Sequence, residues 1–357
     1  ALSKFPGSNL LDHNPMPNLT LEEVAQLAGV SSATVSRVIN DYPHVRKDVR
    51  QRVQQVIEET GYQPNIAARS LASKRTNVIG LVIPNSVSNF FTDPYFPRLT
   101  EGISHTCNEN EYVLSLFIFN SKEIERKLFP RVTHRGLVDG IIIQSTGLND
   151  DAISYITEGD IPFVVAGRPM SAPQASFVDV DNFAGAFKAT MHLIQLGRKR
   201  IATITGALDT SVGMDRLEGY CKALSDRRIT IDERLITEGD FTELSSYYAA
   251  KRLLINNPDA IFVASDTMAV GVMRALREEN ISIPEDIALV GFDDLPPART
   301  SIPPLTTVRQ PIQRFGNKLV EILLDILSNG PEPPRRIIFD TELVIRESCG
   351  MRSPAVA

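Results

Sequence analysis

Two short amphipathic segments joined by a tight turn open the stretch over 19–76. Thr20 and Glu23 have the spacing of a capping box, in which both side chains satisfy free amides at a helix start, so a helix is predicted over 21–28. Gly29 predicts the end of this helix, because glycine tolerates the left-handed backbone of a tight turn. The apolar face of the helix is expected to comprise Val24, Leu27 and Ala28.

A second helix is predicted over 32–39, with Ser31 as its N-cap. Its apolar side chains point one way, and a second face carries Ser32, Ala33, Ser36, Arg37 and Asn40. A third helix follows and ends at Gly61. Two capped helices, a short turn and a small polar face on the second helix make up the helix-turn-helix pattern.

This pattern has two interpretations. One is a small helical bundle with a solvated polar face, and the other is a DNA-binding domain. The polar face favours the second, because Ser, Thr, Asn and Arg side chains suit base edges and phosphates. Residues 30–39 contain no acidic side chain that would repel DNA.

The 357 residues carry a formal net charge of −6, but the charge is unevenly distributed. Residues 19–76 hold 8 basic and 6 acidic side chains, which gives +2. Residues 1–18 are neutral in sum, so residues 77–357 carry −8. A basic head on an acidic body fits a DNA contact confined to one end of the molecule.

Residues 1–18 contain three prolines and no hydrophobic periodicity, which predicts a disordered extension. The three cysteines, at 107, 221 and 349, have no metal-site spacing and indicate a reducing compartment. The sequence has neither an apolar signal-peptide core nor a run long enough to cross a membrane, so we expect a cytoplasmic protein.

From residue 77 onward, strongly apolar strands alternate with amphipathic helices, which predicts doubly wound parallel α/β sheets buried on both faces. The body is too long for one such sheet, so two similar lobes are expected. The candidate strands are 78–84, 113–119, 140–145, 162–167, 175–181, 200–206, 235–241, 260–265 and 287–293. Candidate helices include 96–109, 184–196, 267–279 and 311–328.

Ligands of open α/β sheets bind beyond the carboxyl ends of the strands. The residues at those positions suit a sugar, because carboxylates and guanidinium groups bind vicinal hydroxyls and aromatic rings pack on sugar rings. The candidates are Phe91, Asp93, Tyr95, Phe96, Gln144, Arg168, Arg216, Phe241, Ser265, Asp266 and Asp293. Alternatively, Asp266 caps a helix that begins at Thr267, and Phe91 or Phe96 belongs to a lobe core.

The chain has no motif of nucleophilic, metal-dependent or nucleotide-dependent catalysis, and its five histidines are scattered. No catalytic residue, metal ligand or cofactor is therefore predicted, and we do not expect an enzyme.

The segments LTLEEVAQLAGVSSATVSRVIN and YQPNIAARSLASKRTNVIGLVIP closely resemble the DNA-binding headpiece of the lactose-repressor (LacI) family, and later elements continue the resemblance to about Ser348. The resemblance implies an all-α helix-turn-helix headpiece over 19–64 and a hinge helix over 65–76. It also implies an α/β body over 77–351, similar to a periplasmic sugar-binding protein, and a tail over 352–357.

In the family, the chain passes between the two lobes more than once. The resemblance implies crossings near Val178, Arg309 and Ile338. Lobe one is then expected over 77–178 and 310–337, and lobe two over 179–309 and 338–351.

The resemblance also assigns contacts with DNA. Phosphate contacts are expected from Thr20, Ser31, Thr34, Asn40 and Arg46, with Val45 in the same DNA-binding set. Major-groove contacts with bases are expected from Ser32, Ala33, Ser36 and Arg37. In the family, two hinge helices pair in the minor groove, where a leucine wedges a base step and kinks the duplex; the matching residues are Asn65, Ala68, Leu71, Ala72 and Lys74.

Two departures from the family pattern affect these expectations. Arg46 stands where the family usually has a small N-cap residue for the third helix, so the cap is expected to be lost or shifted. Ser32 and Ala33 are small at positions that often carry larger base-reading side chains. The operator half-site therefore cannot be read from this sequence.

Arg216 and Asp293 match the motifs that carry the family's ligand-gripping arginine and aspartate, and Gln310 falls at a contact near a lobe crossing. The segments GRPM and FFTDPYFP resemble the maltose-type branch, which favours an α-glucoside effector. The prediction is a homodimeric, sugar-responsive repressor that binds a pseudo-palindromic operator.

Two alternatives remain open. One is a catabolite-control-type regulator driven by a phosphorylated protein corepressor. The other is a sugar-binding transport or chemotaxis protein, which the headpiece and the missing signal peptide disfavour.

Overall fold

The computed structural model describes residues 19–63, 75–83, 87–119, 121–133, 136–144, 147, 151–159 and 161–351. The chain divides into two compact units, Ala1–Lys74 and Arg75–Ala357. The extension predicted over 1–18 and the tail over 352–357 lie outside the described residues. So do the five hinge residues predicted to enter the minor groove: Asn65, Ala68, Leu71, Ala72 and Lys74.

The first unit contains three helices: α1 (Leu21–Ala28), α2 (Ser32–Ile39) and α3 (Lys47–Thr60). The predicted capping box at the start of α1 is confirmed, since the Thr20 and Glu23 side chains each bond the other residue's amide. Gly29 ends α1 in the left-handed conformation, with φ 65°. The ends of α1 therefore follow directly from local sequence.

The core of this unit is formed by Val24, Ala25, Ala28, Val35, Val38, Val53 and Tyr62. The prediction that Leu27 lies on the inner face is wrong, because its side chain is 60% exposed. In a helix with 3.6 residues per turn, the stripe centred on Val24, Ala25 and Ala28 turns residue 27 outward.

The second unit contains two six-stranded sheets. Sheet one comprises β1 (Val78–Ile83), β2 (Val113–Ile118), β3 (Gly140–Gln144), β4 (Phe163–Ala166), β5 (Phe177–Val180) and β11 (Arg336–Phe339). Sheet two comprises β6 (Ile201–Thr205), β7 (Ile236–Glu238), β8 (Ala260–Val263), β9 (Ala288–Asp293), β10 (Thr306–Arg309) and β12 (Glu342–Val344). The strand order is 11-5-4-3-1-2 in sheet one and 12-10-9-8-6-7 in sheet two.

Helices separate most of these strands, as the alternating pattern predicts. Those before β6 are α4 (Val87–Thr92), α5 (Tyr95–Glu109), α6 (Lys122–Val132), α7 (Asp151–Glu158) and α8 (Asn182–Gln195). Those after it are α9 (Ser211–Asp226), α10 (Glu243–Leu254), α11 (Asp266–Glu278), α12 (Pro296–Thr300) and α13 (Ile312–Asn329), with short 3-10 turns at Glu233–Leu235 and Glu347–Cys349.

The pairings within the described strands are parallel with one exception. β12 runs antiparallel to β10, with Val308 opposite Leu343. The all-parallel arrangement that we expected for both sheets is therefore incomplete, because the three-residue β12 returns from sheet one and meets the edge of sheet two from the opposite direction.

The chain crosses between the sheets at slightly different points from those expected. β5 still pairs in sheet one, so the first crossing follows Val180 rather than Val178. β11 also pairs in sheet one through Phe339, so the last crossing falls between that residue and β12, within four residues of Ile338. The remaining crossing lies between β10 and α13, which packs in the core of the first lobe.

Close helix packing holds the first lobe together. A Cβ atom on Gly102 of α5 would lie 2.3 Å from the backbone oxygen of Gln313 in α13, so only glycine fits there. The two helices bury Leu99, Ile103, Leu319 and Leu323 between themselves and sheet one.

β2 departs from the expectation that every strand is buried on both faces. It lies at the edge of sheet one, with Val113 62% and Leu116 40% exposed. Its continuous apolar run does not distinguish an edge strand from an interior one.

Among the described residues, no helix combines the length and apolar character that crossing a bilayer requires.

Candidate DNA-binding and effector sites

Ser31 fixes the first turn of α2. Its Oγ accepts a hydrogen bond from the Thr34 amide at 3.3 Å and lies 2.9 Å from the Thr34 hydroxyl oxygen. Such a cap satisfies an amide that the helix itself leaves without a partner. Thr20 is bonded to Glu23 through both its amide and its hydroxyl. Both helices therefore begin in a defined geometry at residues predicted to meet phosphates.

One side of α2 carries the residues predicted to meet bases. Its exposed residues are Ala33, Arg37 and Asn40, and its partly buried polar residues are Ser32, Thr34 and Ser36. The Asn40 side chain donates to the Ser36 carbonyl oxygen at 2.9 Å and so closes the last turn. A helix fixed at both ends thus presents this polar face to solvent.

Arg46 does not cap α3 with its side chain, as its departure from the family pattern predicts. Its guanidinium instead forms a two-bond ion pair with Asp48, with Nη2 2.7 Å from Oδ2 and Nε 3.2 Å from Oδ1. Both side chains are largely exposed, so this pair contributes little stability by itself. Val45, the other predicted DNA-binding residue here, is half-buried.

Arg216 forms the centre of the predicted effector site. Its side chain, on α9, is 5% exposed, and its Nε donates to the side-chain Oδ1 of Asn182 at 2.9 Å. Its Nη1 donates to the backbone oxygen of Ala264 and lies 3.7 Å from Oδ1 of Asp293, while the guanidinium stacks on the Phe292 ring. Among the described residues, no acceptor bonds Nη2, so that end of the group remains available to a ligand.

Asp293 ends β9 in a conformation that non-glycine residues rarely adopt, with φ 118°. Gln310, at the end of β10, donates from Nε2 to Oδ1 of Asp293. Burial raises the pKa of Asp293 to about 7, although Arg216 lowers it by attraction. Backbone strain that the surroundings hold in place is common at ligand sites, and here it turns a carboxyl group towards an arginine.

Ser265, not Asp266, caps the helix that follows β8. Ser265 is the N-cap of α11 and accepts from the Met268 amide at 3.2 Å, so Asp266 does not cap that helix. The Asp266 carboxylate accepts from the Thr307 hydroxyl at 2.6 Å and from the Leu295 amide at 2.8 Å. Each of its oxygens therefore already accepts one hydrogen bond from the protein, and its contact with a sugar stays a prediction.

Polar contacts join the lobes beside this cluster. Nη2 of Arg168, which follows β4 in the first lobe, lies 2.5 Å from Oδ1 of Asp215 on α9. The Thr267 hydroxyl of α11 donates to Oδ1 of Asp93 at 3.2 Å. The predicted residues Arg168 and Asp93 thus lie between the two lobes, where a change in lobe spacing would break their contacts.

The predicted aromatic contacts divide into three kinds. Phe96 is 9% exposed and belongs to the core of the first lobe, as the alternative interpretation expects. Phe91 is 69% exposed and lines a separate open groove of about 420 Å³. Tyr95 is partly buried near the cluster, where burial and the negative charge of Asp179 raise the pKa of its phenol.

Phe241 and Gln144 both lie at the carboxyl ends of strands, after β7 and at the end of β3. The Phe241 ring lies over Gly206, where an added Cβ would stand 2.0 Å from the ring. Gln144 ends β3 with a buried Oε1 that has no hydrogen-bond partner. A buried acceptor without a donor is costly, and a ligand hydroxyl would satisfy it.

Within the described residues, no three His, Cys, Asp or Glu side chains are grouped as a metal site.

Comparison with known proteins agrees with this arrangement. Residues 20–65 match the family model for bacterial regulatory proteins of the lacI family, and residues 190–349 match that of a periplasmic binding protein-like domain. The HTH-type transcriptional regulator CelR of Thermobifida fusca is 38% identical over 333 residues, which span 92% of this chain and 98% of CelR.

The chain belongs to the LacI family.

Two solved structures extend the match to the whole LacI fold. A complex of the transcriptional regulator CelR with cellobiose has a TM-score of 0.74 and 36% identity, covering 92% of this chain and 99% of that one. A lac repressor dimer bound to operator and the anti-inducer ONPF has a TM-score of 0.82 and 27% identity, covering 93% and 99%. The chain is thus a DNA-binding transcriptional regulator, of a family of regulators rather than enzymes.

Sequence reasoning missed two buried residues of this LacI-family site. Asp179 of β5 accepts from the amides of Val180 at 2.8 Å and Arg168 at 3.0 Å, and burial raises its pKa to about 6. Asn182 bonds both Asp179 and Arg216 and so links the lobes. The sequence signal for Asp179 is a carboxylate inside the otherwise apolar strand FVDV.

Proposed function

We propose that this regulator represses carbohydrate-utilisation genes and that a glucose disaccharide controls it by binding between the two lobes. The observation that carries the proposal is the buried cluster of Arg216, Asp293 and Gln310 at the carboxyl end of sheet two, completed by Asn182, which follows β5 of sheet one. A cluster of this kind is costly to bury, and it offers forked donors and a carboxylate acceptor together.

The cluster suits a sugar better than it suits other small ligands. Vicinal hydroxyls both donate and accept, so they can pair with a guanidinium and a carboxyl group at the same time. Gln144 supplies a buried acceptor, and the Phe241 ring supplies an apolar face for a pyranose ring. No step in this proposal requires catalysis or a cofactor.

The comparison with CelR supports cellobiose as the first candidate effector, because the similar solved structure is a cellobiose complex. The segments GRPM and FFTDPYFP led us to expect an α-glucoside instead. Cellobiose and maltose are both glucose disaccharides and differ in the anomeric configuration of the linkage. A direct comparison of the two therefore decides between these expectations.

Control of DNA binding follows from differential affinity. A sugar that binds one lobe arrangement more tightly shifts the population towards it, by no more than the difference in binding free energy. The Arg168–Asp215 and Asp93–Thr267 contacts link the lobes, so their making and breaking distinguishes the arrangements. We propose that the sugar favours the arrangement with the lower operator affinity.

On the DNA side, we propose that α2 enters the major groove. Ser32, Ala33, Ser36 and Arg37 would face bases there, while Thr20, Ser31, Thr34, Asn40, Val45 and Arg46 would lie along the backbone. A homodimer would place two such helices on a pseudo-palindromic operator in the cytoplasm. The lac repressor dimer on its operator, to which the chain is similar, supports this arrangement.

The test begins with selection of a duplex by the wild-type protein from a randomised pseudo-palindromic pool. The affinity for the selected duplex is then measured at fixed salt, without sugar and with cellobiose or maltose. We expect cellobiose to weaken binding roughly 10- to 100-fold, within the usual range of allosteric coupling. Failure to select any sequence, or an affinity that neither sugar changes, would overturn the proposal.

Asp293→Asn is the matched site variant. Because the pKa of Asp293 is about 7, its neutral form is already populated near neutral pH, so the isosteric amide is expected to fold. This variant should bind the selected duplex normally and lose the response to cellobiose. Asp226→Asn, at an exposed position at the end of α9 in the same lobe, is the control and should respond like the wild type.

A further inference from the structure

Arg50 of α3 differs from the other basic side chains of its helix. The side chain is 21% exposed, and its guanidinium ends in the loop between α2 and α3. Nη1 donates to the Asp41 carboxylate, and Nη2 donates to the Tyr42 backbone oxygen at 2.6 Å. By contrast, Lys47 and Arg52 on the same helix are exposed.

The loop that Arg50 holds is also bonded to the end of α2. The Tyr42 amide donates to the carbonyl oxygen of Arg37 at 2.9 Å, and the Asp41 amide donates to that of Val38 at 3.1 Å. Asp41 has φ 50°, a left-handed conformation that costs free energy in a residue other than glycine. The partly buried Arg50 guanidinium bonds this turn twice, at the Asp41 carboxylate and at the Tyr42 backbone oxygen.

A continuous path of hydrogen bonds therefore runs from α3 to the last turn of α2. It passes from the Arg50 guanidinium to the Tyr42 carbonyl, and from the Tyr42 amide to the Arg37 carbonyl. Arg37 and Asn40 lie on that turn and are exposed. Their side chains can meet DNA in one register only if the turn does not move.

We propose that Arg50 is a positioning residue for DNA reading, which acts through the α2–α3 loop and makes no phosphate contact itself. This inference rests on the proposed role of α2. Both terminal nitrogens of the guanidinium are already engaged, and most of the side chain is buried. Lysine cannot replace it, because an ammonium group lacks the planar fork that bonds a carboxylate and a carbonyl in fixed directions.

The test uses the duplex selected by the wild-type protein and a scrambled duplex of equal length. Arg50→Lys keeps the charge and removes the fork, whereas Arg50→Gln removes both. We expect each to lower the ratio of specific to scrambled-duplex affinity about tenfold, with the salt dependence of scrambled-duplex binding unchanged. Loss of folded headpiece alone would weaken both duplexes equally and leave the ratio unchanged.

A phosphate contact gives the opposite pattern. Each phosphate contact contributes roughly 0.9 to the slope of log affinity against log salt concentration. If Arg50→Gln lowers that slope by about this amount while Arg50→Lys binds normally, or if neither variant changes the ratio, the inference is overturned. Arg52→Gln is the matched control and should leave the ratio at its wild-type value.

Asp41 provides a second check. The double variant Asp41→Asn, Arg50→Gln has the wild-type net charge. A tenfold lower ratio of specific to scrambled-duplex affinity in this variant therefore cannot come from long-range electrostatics. An unchanged ratio in this variant would contradict the positioning role. Should the wild-type protein select no sequence at all, the proposed function fails first, which distinguishes that result from a failure confined to Arg50.

Discussion

The burial of a single residue, Arg216, explains which polar groups surround it in the site. A guanidinium that is 5% exposed has lost its water, so protein groups must replace that water. One side of the guanidinium contacts the Asn182 side chain, the Ala264 backbone oxygen and Asp293. The Phe292 ring covers its face. The remaining donor is left for a ligand, whose binding completes the set.

Arg216→Lys tests this role directly. The lysine keeps the charge but cannot make several bonds in a fixed plane, and a hydrogen bond to a charged group contributes roughly 1.5–3 kcal/mol. We expect cellobiose affinity to fall at least about tenfold, measured by isothermal titration calorimetry. Arg234→Lys, at a position 73% exposed in the same lobe, should bind as the wild type does. Equal affinities for both variants would contradict the assignment.

Asp179 makes the stability of the body depend on pH. Burial raises its pKa to about 6, compared with about 3.9 for an ordinary aspartate, so between these values the folded state holds a proton that the unfolded state has released. Its contribution to stability is therefore full below about pH 4 and is lost as pH rises to about 6, on the order of 3 kcal/mol at most.

Asp179→Asn should therefore flatten the fall in melting temperature between pH 4 and 6, whatever its effect on the absolute value. The measurement is thermal unfolding of both proteins across that range. Asp232→Asn is the control, because the bond from Arg234 lowers the pKa of Asp232 and its titration lies below the window. If the melting temperature of Asp179→Asn falls as steeply between pH 4 and 6 as that of the wild type, Asp179 does not cause the fall.

How far the sequence predicts single residues depends on whether the cause is local. The strand-end rule indicated Arg216 and Asp293, because it needs only the position of a residue after a strand. It could not show what bonds Asp266, since its donors, Thr307 and the Leu295 amide, are 41 and 29 residues away. Asp179 was missed because it lies inside a strand and its burial is a property of the tertiary fold.

At the scale of elements, α2 owes its position to its cap. Ser31→Ala removes the hydroxyl that bonds the Thr34 amide and should destabilise the headpiece by about 1 kcal/mol. Ser31→Asp keeps a capping oxygen, and its negative charge suits a helix N-terminus. We expect the alanine variant to increase hydrogen exchange of the amides over 34–38, while the aspartate variant retains their protection.

The same pair separates capping from DNA contact. If Ser31 lies against a phosphate, the aspartate variant should bind the selected duplex more weakly than the alanine variant, although it is the more stable of the two. If the aspartate variant is the more stable of the two and also binds the duplex more tightly, Ser31 acts only as a helix cap.

Elements with local signals were predictable, and those defined by long-range pairing were not. The bounds of α1 and α2 follow from Thr20, Gly29 and Ser31, which act on their own helices. The antiparallel pairing of β12 and the edge position of β2 depend on strand order, and no local pattern encodes that order. The predicted hinge contacts, Leu71 among them, lie outside the described residues and remain predictions.

In the whole molecule, the binding of sugar and the binding of operator DNA are coupled by a free energy that connects the two sites. Linkage makes the effect reciprocal, because a sugar that weakens operator binding by some factor must itself bind more weakly, by the same factor, when the operator is present. The relation holds for any structural route between the sites.

The most direct test of the central claim is the dissociation constant of cellobiose for the free protein and for the protein saturated with its selected duplex, measured by calorimetry at one salt concentration. The account predicts weaker sugar binding on the duplex, by the same factor, roughly 10- to 100-fold, by which cellobiose weakens duplex binding. A cellobiose dissociation constant that is equal on and off the duplex, in a protein that binds both ligands, would contradict it.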